Sequence, residues 1–166
     1  LIGINYDIRF SSLELYGNEY QKPLESILQY VQDHHRYLSD GESRQDLSDL
    51  EKKIDSAFIM LETVQEERGE DLQFTTEGLR IRNRDHLVLS LLKSRWNDLK
   101  QSGDYLEYEA FVADIREMIT HAGDTSNLIL DPDLDSYYLM DLSLLVLPQT
   151  QDRLGEILLY GSQVLK

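Results

Sequence analysis

Cysteine is absent from the 166-residue chain. That excludes disulfides, thiolate metal sites and cysteine nucleophiles in one step, while leaving the compartment open. Proline and glycine are scarce, at 3 and 9 residues, so long elements are expected rather than many short ones. Basic residues are outnumbered, 16 Lys+Arg against 31 Asp+Glu, for a net charge of −15 and a pI near 4.5. A surface that tracks phosphates needs a basic stripe, so nucleic acid is not an expected partner. Anionic lipid is excluded as a docking surface for the same reason. No apolar run approaches the roughly 20 residues that a membrane helix requires.

What is present is a folding composition, 41% hydrophobic and 28% charged, in a chain long enough for one domain with a real core. A chain that opens on Leu1 with no signal peptide before it is expected to be a piece of a longer one.

Apolar spacing is helical nearly throughout. Leu13, Tyr16, Tyr20, Leu24, Ile27, Val31, His35 and Leu38 follow one another by three or four residues and predict a helix from about Asn5 to Leu38. Pro23 should kink or interrupt it, and Asp40-Gly41 should end it. A second stripe runs through Leu47, Leu50, Ile54, Ala57, Phe58, Leu61 and Val64, with Ser43 or Ser48 as cap and Arg68-Gly69 as stop. The stretch from Gln73 to Gly78 reads as a polar connection. A third helix is predicted over Asn83–Lys100, with Leu87, Val88, Leu91, Leu92, Trp96 and Leu99 inside. The short Ser102-Gly103-Asp104 turn then makes a fourth helix, Tyr105 to Ala122, its antiparallel neighbour. Gly123 to Asp133 reads as a loop. A fifth helix over Leu134–Leu147 is apolar on all sides and hence buried. Beyond Pro148, an amphipathic stripe from Leu154 to Leu165 continues to the last residue. No strand alternation is visible, so the fold class is all-α, an antiparallel helical bundle with long helices.

Several residue groups carry possible chemistry. Asp131, Asp133 and Asp135 have the opening spacing of a calcium loop, but Ser136 and Leu142 stand where glycine and glutamate are needed. A capped helix start, with Asp131 as cap and Pro132 in first position, accounts for them better. Asp141 sits in the most apolar segment and needs either a structural partner, such as a Tyr hydroxyl, or a ligand. Arg84, Val88, Leu91 and Arg95 fall on one helical stripe. The two guanidiniums either clamp a small carboxylate or pack their stems and leave their heads in solvent. His35 lies on an apolar face with no metal-spaced partner. No phosphate-binding glycine loop, nucleophile motif or metal-ligand set is present.

The run Asp124-Thr125-Ser126-Asn127-Leu128-Ile129-Leu130-Asp131-Pro132-Asp133-Leu134-Asp135-Ser136-Tyr137-Tyr138-Leu139-Met140-Asp141, with Leu147-Pro148 and Leu154-Gly155, resembles the all-helical extracytoplasmic sensor domains of bacterial methyl-accepting chemotaxis receptors and sensor histidine kinases. Glu14-Leu15-Tyr16-Gly17-Asn18-Glu19-Tyr20, Pro23-Leu24 and His35-Arg36 resemble that family's first helix. The middle, about 42–103, matches only in its helical pattern. Tyr37 follows Arg36 where the family often has glycine, so no role is carried over to that turn.

The resemblance implies a periplasmic signal-input module of an inner-membrane protein. It implies a homodimer anchored by membrane helices outside this segment, and signalling by helix displacement rather than catalysis. The partner expected is a small anionic ligand or a periplasmic binding protein, with no cofactor and no metal. Candidate ligand-binding residues are Arg84, Arg95, His35 and Asp141, with Tyr137 and Tyr138 beside Asp141. The competing reading is a structural helical-bundle module for dimerisation or interaction, without a small ligand. Polar residues on core stripes favour the sensor, because a passive spacer has no need of them.

Overall fold

Helix α1, Ile2–Asp40, is 39 residues long, roughly 58 Å at 1.5 Å per residue. The computed structural model describes residues 2–41, 43–126, 150, 151, 153–155, 157 and 160, without the side chains of 2–10. The helix buries Tyr20, Leu24, Ile27, Leu28 and Val31 completely. The expected stripe is therefore present, and Leu28 and His34, on its two flanks, are buried as well. Two helices pack on α1 rather than one, which widens its buried face. Leu38, expected inside, is 38% exposed at the far end. Pro23 is buried within the helix, and α1 continues past it without a break. Gly41 (φ 72°) ends it in the left-handed region that glycine adopts cheaply.

Helix α2, Arg44–Arg68, starts at Ser43, whose side chain accepts the Asp46 N–H, and buries Leu50, Ile54, Ala57, Phe58 and Leu61. This is the predicted stripe with its predicted cap. The following connection differs from the expectation. Thr75 caps a short helix, α3, Thr76–Ile81, inside a stretch read as polar linker. Asn83 (φ 57°) then turns the chain, and Asp85–Leu87 form a single 3-10 turn. Helix α4 begins only at Leu89 and runs to Ser102. The predicted helix from Asn83 is thus cut short at its start, and Arg84 does not share a helix with Arg95. Leu91, expected inside, is 51% exposed. Gly103 (φ 64°) closes α4 and Asp104 caps helix α5, Tyr105–Thr125. Gly123 therefore lies within α5, not in a loop. The predicted elements from Leu134 onward lie outside the described residues, apart from scattered helical positions between 150 and 160.

Cross-helix pairs fix the directions. On α1 and α2, His34 meets Glu51 while Glu19 meets Arg68. On α2 and α4, Asp55 meets Trp96 and Glu62 meets Lys93. On α4 and α5, Arg95 meets Asp114 while Ser102 meets Glu107. Each pair runs antiparallel, giving an up-down-up-down arrangement. The four long helices close around Ile27, Phe58, Trp96, Phe111 and Ile115. At one end α3 and its flanks add Leu72, Phe74 and Leu79 to the core. No strand occurs among the described residues, and the molecule is an all-α antiparallel bundle with long helices.

Candidate functional site

Four polar residues of α5, Asp114, Glu117, His121 and Asp124, are spaced three, four and three apart. They form one line along the helix, and the two arginines singled out in the sequence both reach it. Arg84 stands at the start of the 3-10 turn. Its Nε donates to Glu117 Oε1 at 3.2 Å and its Nη1 to Asp124 Oδ2 at 2.8 Å. Arg95, one helix further on, donates through Nη1 to Asp114 Oδ2. His86 lies between them, with Nε2 at 3.0 Å from Glu117 Oε2 and 3.8 Å from Asp114 Oδ1. The result is an alternating row, Arg95–Asp114–His86–Glu117–Arg84–Asp124, along the seam where α4 and the 3-10 turn meet α5.

His121 sits beneath this row, fully buried. Its Nε2 faces the Leu72 carbonyl at 3.2 Å and its Nδ1 faces Arg84 Nη1 at 3.3 Å. Arginine only donates, so Nδ1 accepts, and the proton is on Nε2. Burial and the neighbouring Arg84 charge hold this imidazole down at a pKa of about 4. It is a neutral spacer that orients the guanidinium.

His35 is nine-tenths buried, its ring stacked on Tyr108 at 4.3 Å between centroids. His34, its neighbour in sequence, is buried as well. Its Nδ1 meets the Tyr108 hydroxyl and its Nε2 meets Glu51 at 3.4 Å. Burial lowers the pKa of both imidazoles and raises that of the Tyr108 hydroxyl. The sequence predicted His35 as a site residue. The structure places it in an aromatic cluster about the helix ends, away from Arg84 and His86. Asp141, Tyr137 and Tyr138 lie outside the described residues.

Two hollows bear on binding. A cavity of about 310 Å³ opens between α4 and α5, lined by Arg95, Asp98, Leu99, Leu106, Glu107, Ala110 and Phe111. It takes in neither Arg84 nor His35. A larger open groove, about 800 Å³, follows α1 from Lys22 to Arg36 and is walled by Thr150, Gln151, Leu154 and Gly155. Its charges are mixed, and Arg36 is held by Asp33 at 2.9 Å. The seam cavity has the sharper chemistry, because an apolar floor meets one guanidinium. The ion-pair row on Asp114, Glu117 and Asp124, which does not line this cavity, goes beyond what the sequence suggested, because the apolar stripe of α5 dominates its pattern. The acid–histidine stripe beside it repeats with the same period.

Comparison with known proteins adds no relative: no family model, no curated protein and no solved structure matches the chain. No helix of the described residues is long and apolar enough to cross a membrane.

Proposed function

We propose that this chain is the extracytoplasmic signal-input domain of a bacterial transmembrane chemoreceptor or sensor histidine kinase, and that it senses a small carboxylate. The fold class and the quoted likeness in the first helix and in 124–141 support the reading. The observation that carries it is the α4–α5 seam, where a cavity opens beside Arg95 and the guanidinium's present partner is Asp114 on the facing helix. An incoming carboxylate takes the place of the Asp114 carboxylate on Arg95. The clamp between α4 and α5 then opens, and one helix moves against the other.

The electrostatics restrict the ligand. The chain carries net charge −15, but distant carboxylates are screened beyond roughly 8 Å at physiological salt. Asp98 and Glu107 line the same cavity and oppose an anion at short range. A ligand must therefore engage Arg95 with both carboxylate oxygens and bury an apolar body against Leu99, Leu106 and Phe111. Aromatic or branched monocarboxylates meet both demands; sulfate and acetate meet only one.

A thermal-shift comparison tests this. Benzoate should raise the melting temperature of the wild-type chain by mass action, acetate less, and sulfate not at all. Arg95→Ala should abolish the benzoate response. An equal response in Arg95→Ala, or none to any carboxylate in the wild type, overturns the reading.

A second reading, a dimerisation module, has its own observation. Ile59 and Met60, adjacent on α2, are 60% and 58% exposed, on the face turned away from Phe58 and Leu61. A homodimer that covers them is compatible with the sensor and sufficient for the rival.

A further inference from the structure

We infer that His86, Asp114 and Glu117 form a site for a divalent metal ion of the zinc class. One donor atom from each residue lies within 4.8 Å of the other two, and the His86 ring approaches Glu117 Oε2 and Asp114 Oδ1 through Nε2. Nε2 is 3.0 Å from Oε2 and 3.8 Å from Oδ1. Ligands bound about 2.0–2.2 Å from zinc in a tetrahedral arrangement stand about 3.3–3.6 Å apart. The two separations from Nε2 bracket that value, and the third donor lies inside the same 4.8 Å cluster.

The oxygens are sorted for this purpose. Each carboxylate gives one oxygen to an arginine, Asp114 Oδ2 to Arg95 and Glu117 Oε1 to Arg84. Each turns its other oxygen toward His86 Nε2. The guanidiniums orient the ligand carboxylates without occupying the coordinating atoms, which is the usual task of groups around a metal centre. A single imidazole N–H satisfies only one of these two oxygens: it reaches Glu117 and leaves Asp114 out of range. A cation serves both.

Charge and access agree with the assignment. The two ligand carboxylates, Asp114 and Glu117, are matched by the two guanidiniums, and Asp124 on Arg84 leaves the row as a whole one negative charge in excess. Asp114 is 14% exposed, Glu117 38% and His86 46%, so the site is closed around Asp114 and open to solvent at Glu117 and His86. Three protein ligands leave a coordination position for water. The imidazole nitrogen favours zinc over calcium or magnesium, which prefer all-oxygen sites.

The inference does not depend on carboxylate sensing, although both involve the Arg95–Asp114 pair, and zinc alone is the probe. Titration of the chain with zinc chloride, followed by calorimetry and by the ¹⁵N resonances of the His86 ring, should show one equivalent bound and a saturable shift at Nε2. His86→Ala and Glu117→Gln, both at partly exposed positions, should each weaken binding by at least about tenfold. Calcium chloride at equal concentration should leave the His86 resonances in place. An unmoved His86 ring on zinc addition, or zinc binding in both variants like that of the wild type, overturns the site and assigns any bound zinc to the acidic surface elsewhere.

Discussion

His121 is the residue whose chemistry is most tightly specified by its neighbours. Neutral, it accepts from Arg84 and donates to Leu72; protonated, it would place an N–H against a guanidinium. Its folded pKa of about 4 is below the ordinary value of about 6.5. The unfolded chain therefore takes up this proton first as pH falls. The stabilisation is complete above about pH 6.5 and is lost as pH drops toward 4. For this fully buried ring the loss amounts to about 2 kcal/mol by pH 5. His34 and His35 shift in the same direction. Melting curves between pH 7 and 5 should fall more steeply for the wild type than for His121→Gln, which keeps a donor and an acceptor but no titrating ring. Parallel curves would contradict the assignment. Tyr108 offers a second check. Its hydroxyl serves the buried His34 Nδ1, so Tyr108→Phe strands that nitrogen. Urea unfolding should show a loss of about 1–3 kcal/mol; an unchanged midpoint would mean that His34 finds another partner.

At the scale of the element, the caps and stripes were legible because each is a local pattern. Gly41 and the Ser102-Gly103-Asp104 turn follow from residue type alone, and of the two serines offered as the α2 cap the structure uses Ser43. Gly103 shows why: its φ of 64° suits glycine, while the nearest side-chain atom, Leu38 Cδ1, leaves room at 3.8 Å for an added methyl. Gly103→Ala should therefore cost about 1 kcal/mol through backbone conformation alone, and Gly103→Asn less, since asparagine tolerates this region. Equal stability of all three by chemical denaturation would place the α4–α5 turn in another conformation. The break before α4 was not legible. Arg84, Val88, Leu91 and Arg95 keep a helical spacing, but non-local contacts decide the matter. Arg84 is drawn to Glu117 and Asp124 on α5, 33 and 40 residues away, and Leu87 is buried in the core. Together they hold the break open, and Asn83 supplies its positive-φ turn, a conformation that asparagine adopts more readily than other non-glycine residues. Reading the two arginines as one face was wrong about the helix. Their common destination on α5 is what the structure adds.

For the whole molecule, the two proposed readings rest on different features of the bundle, sensing on the α4–α5 seam within one chain and dimerisation on a surface that joins two. The exposed pair Ile59 and Met60 belongs to the second. If α2 is a dimer face, sedimentation equilibrium should show association that Met60→Lys weakens at least about tenfold, because a charge on an apolar contact must be desolvated. A monomer at all concentrations would remove that role from α2. The seam is the central claim, and side-chain NMR of Arg95 during a benzoate titration tests it most directly. The account predicts a saturable shift of the Arg95 Nε–H signal, with matching shifts at Leu106, Ala110 and Asp114, as the ligand displaces the carboxylate. An Arg95 signal that stays in place while benzoate binds elsewhere, or does not bind, would contradict it.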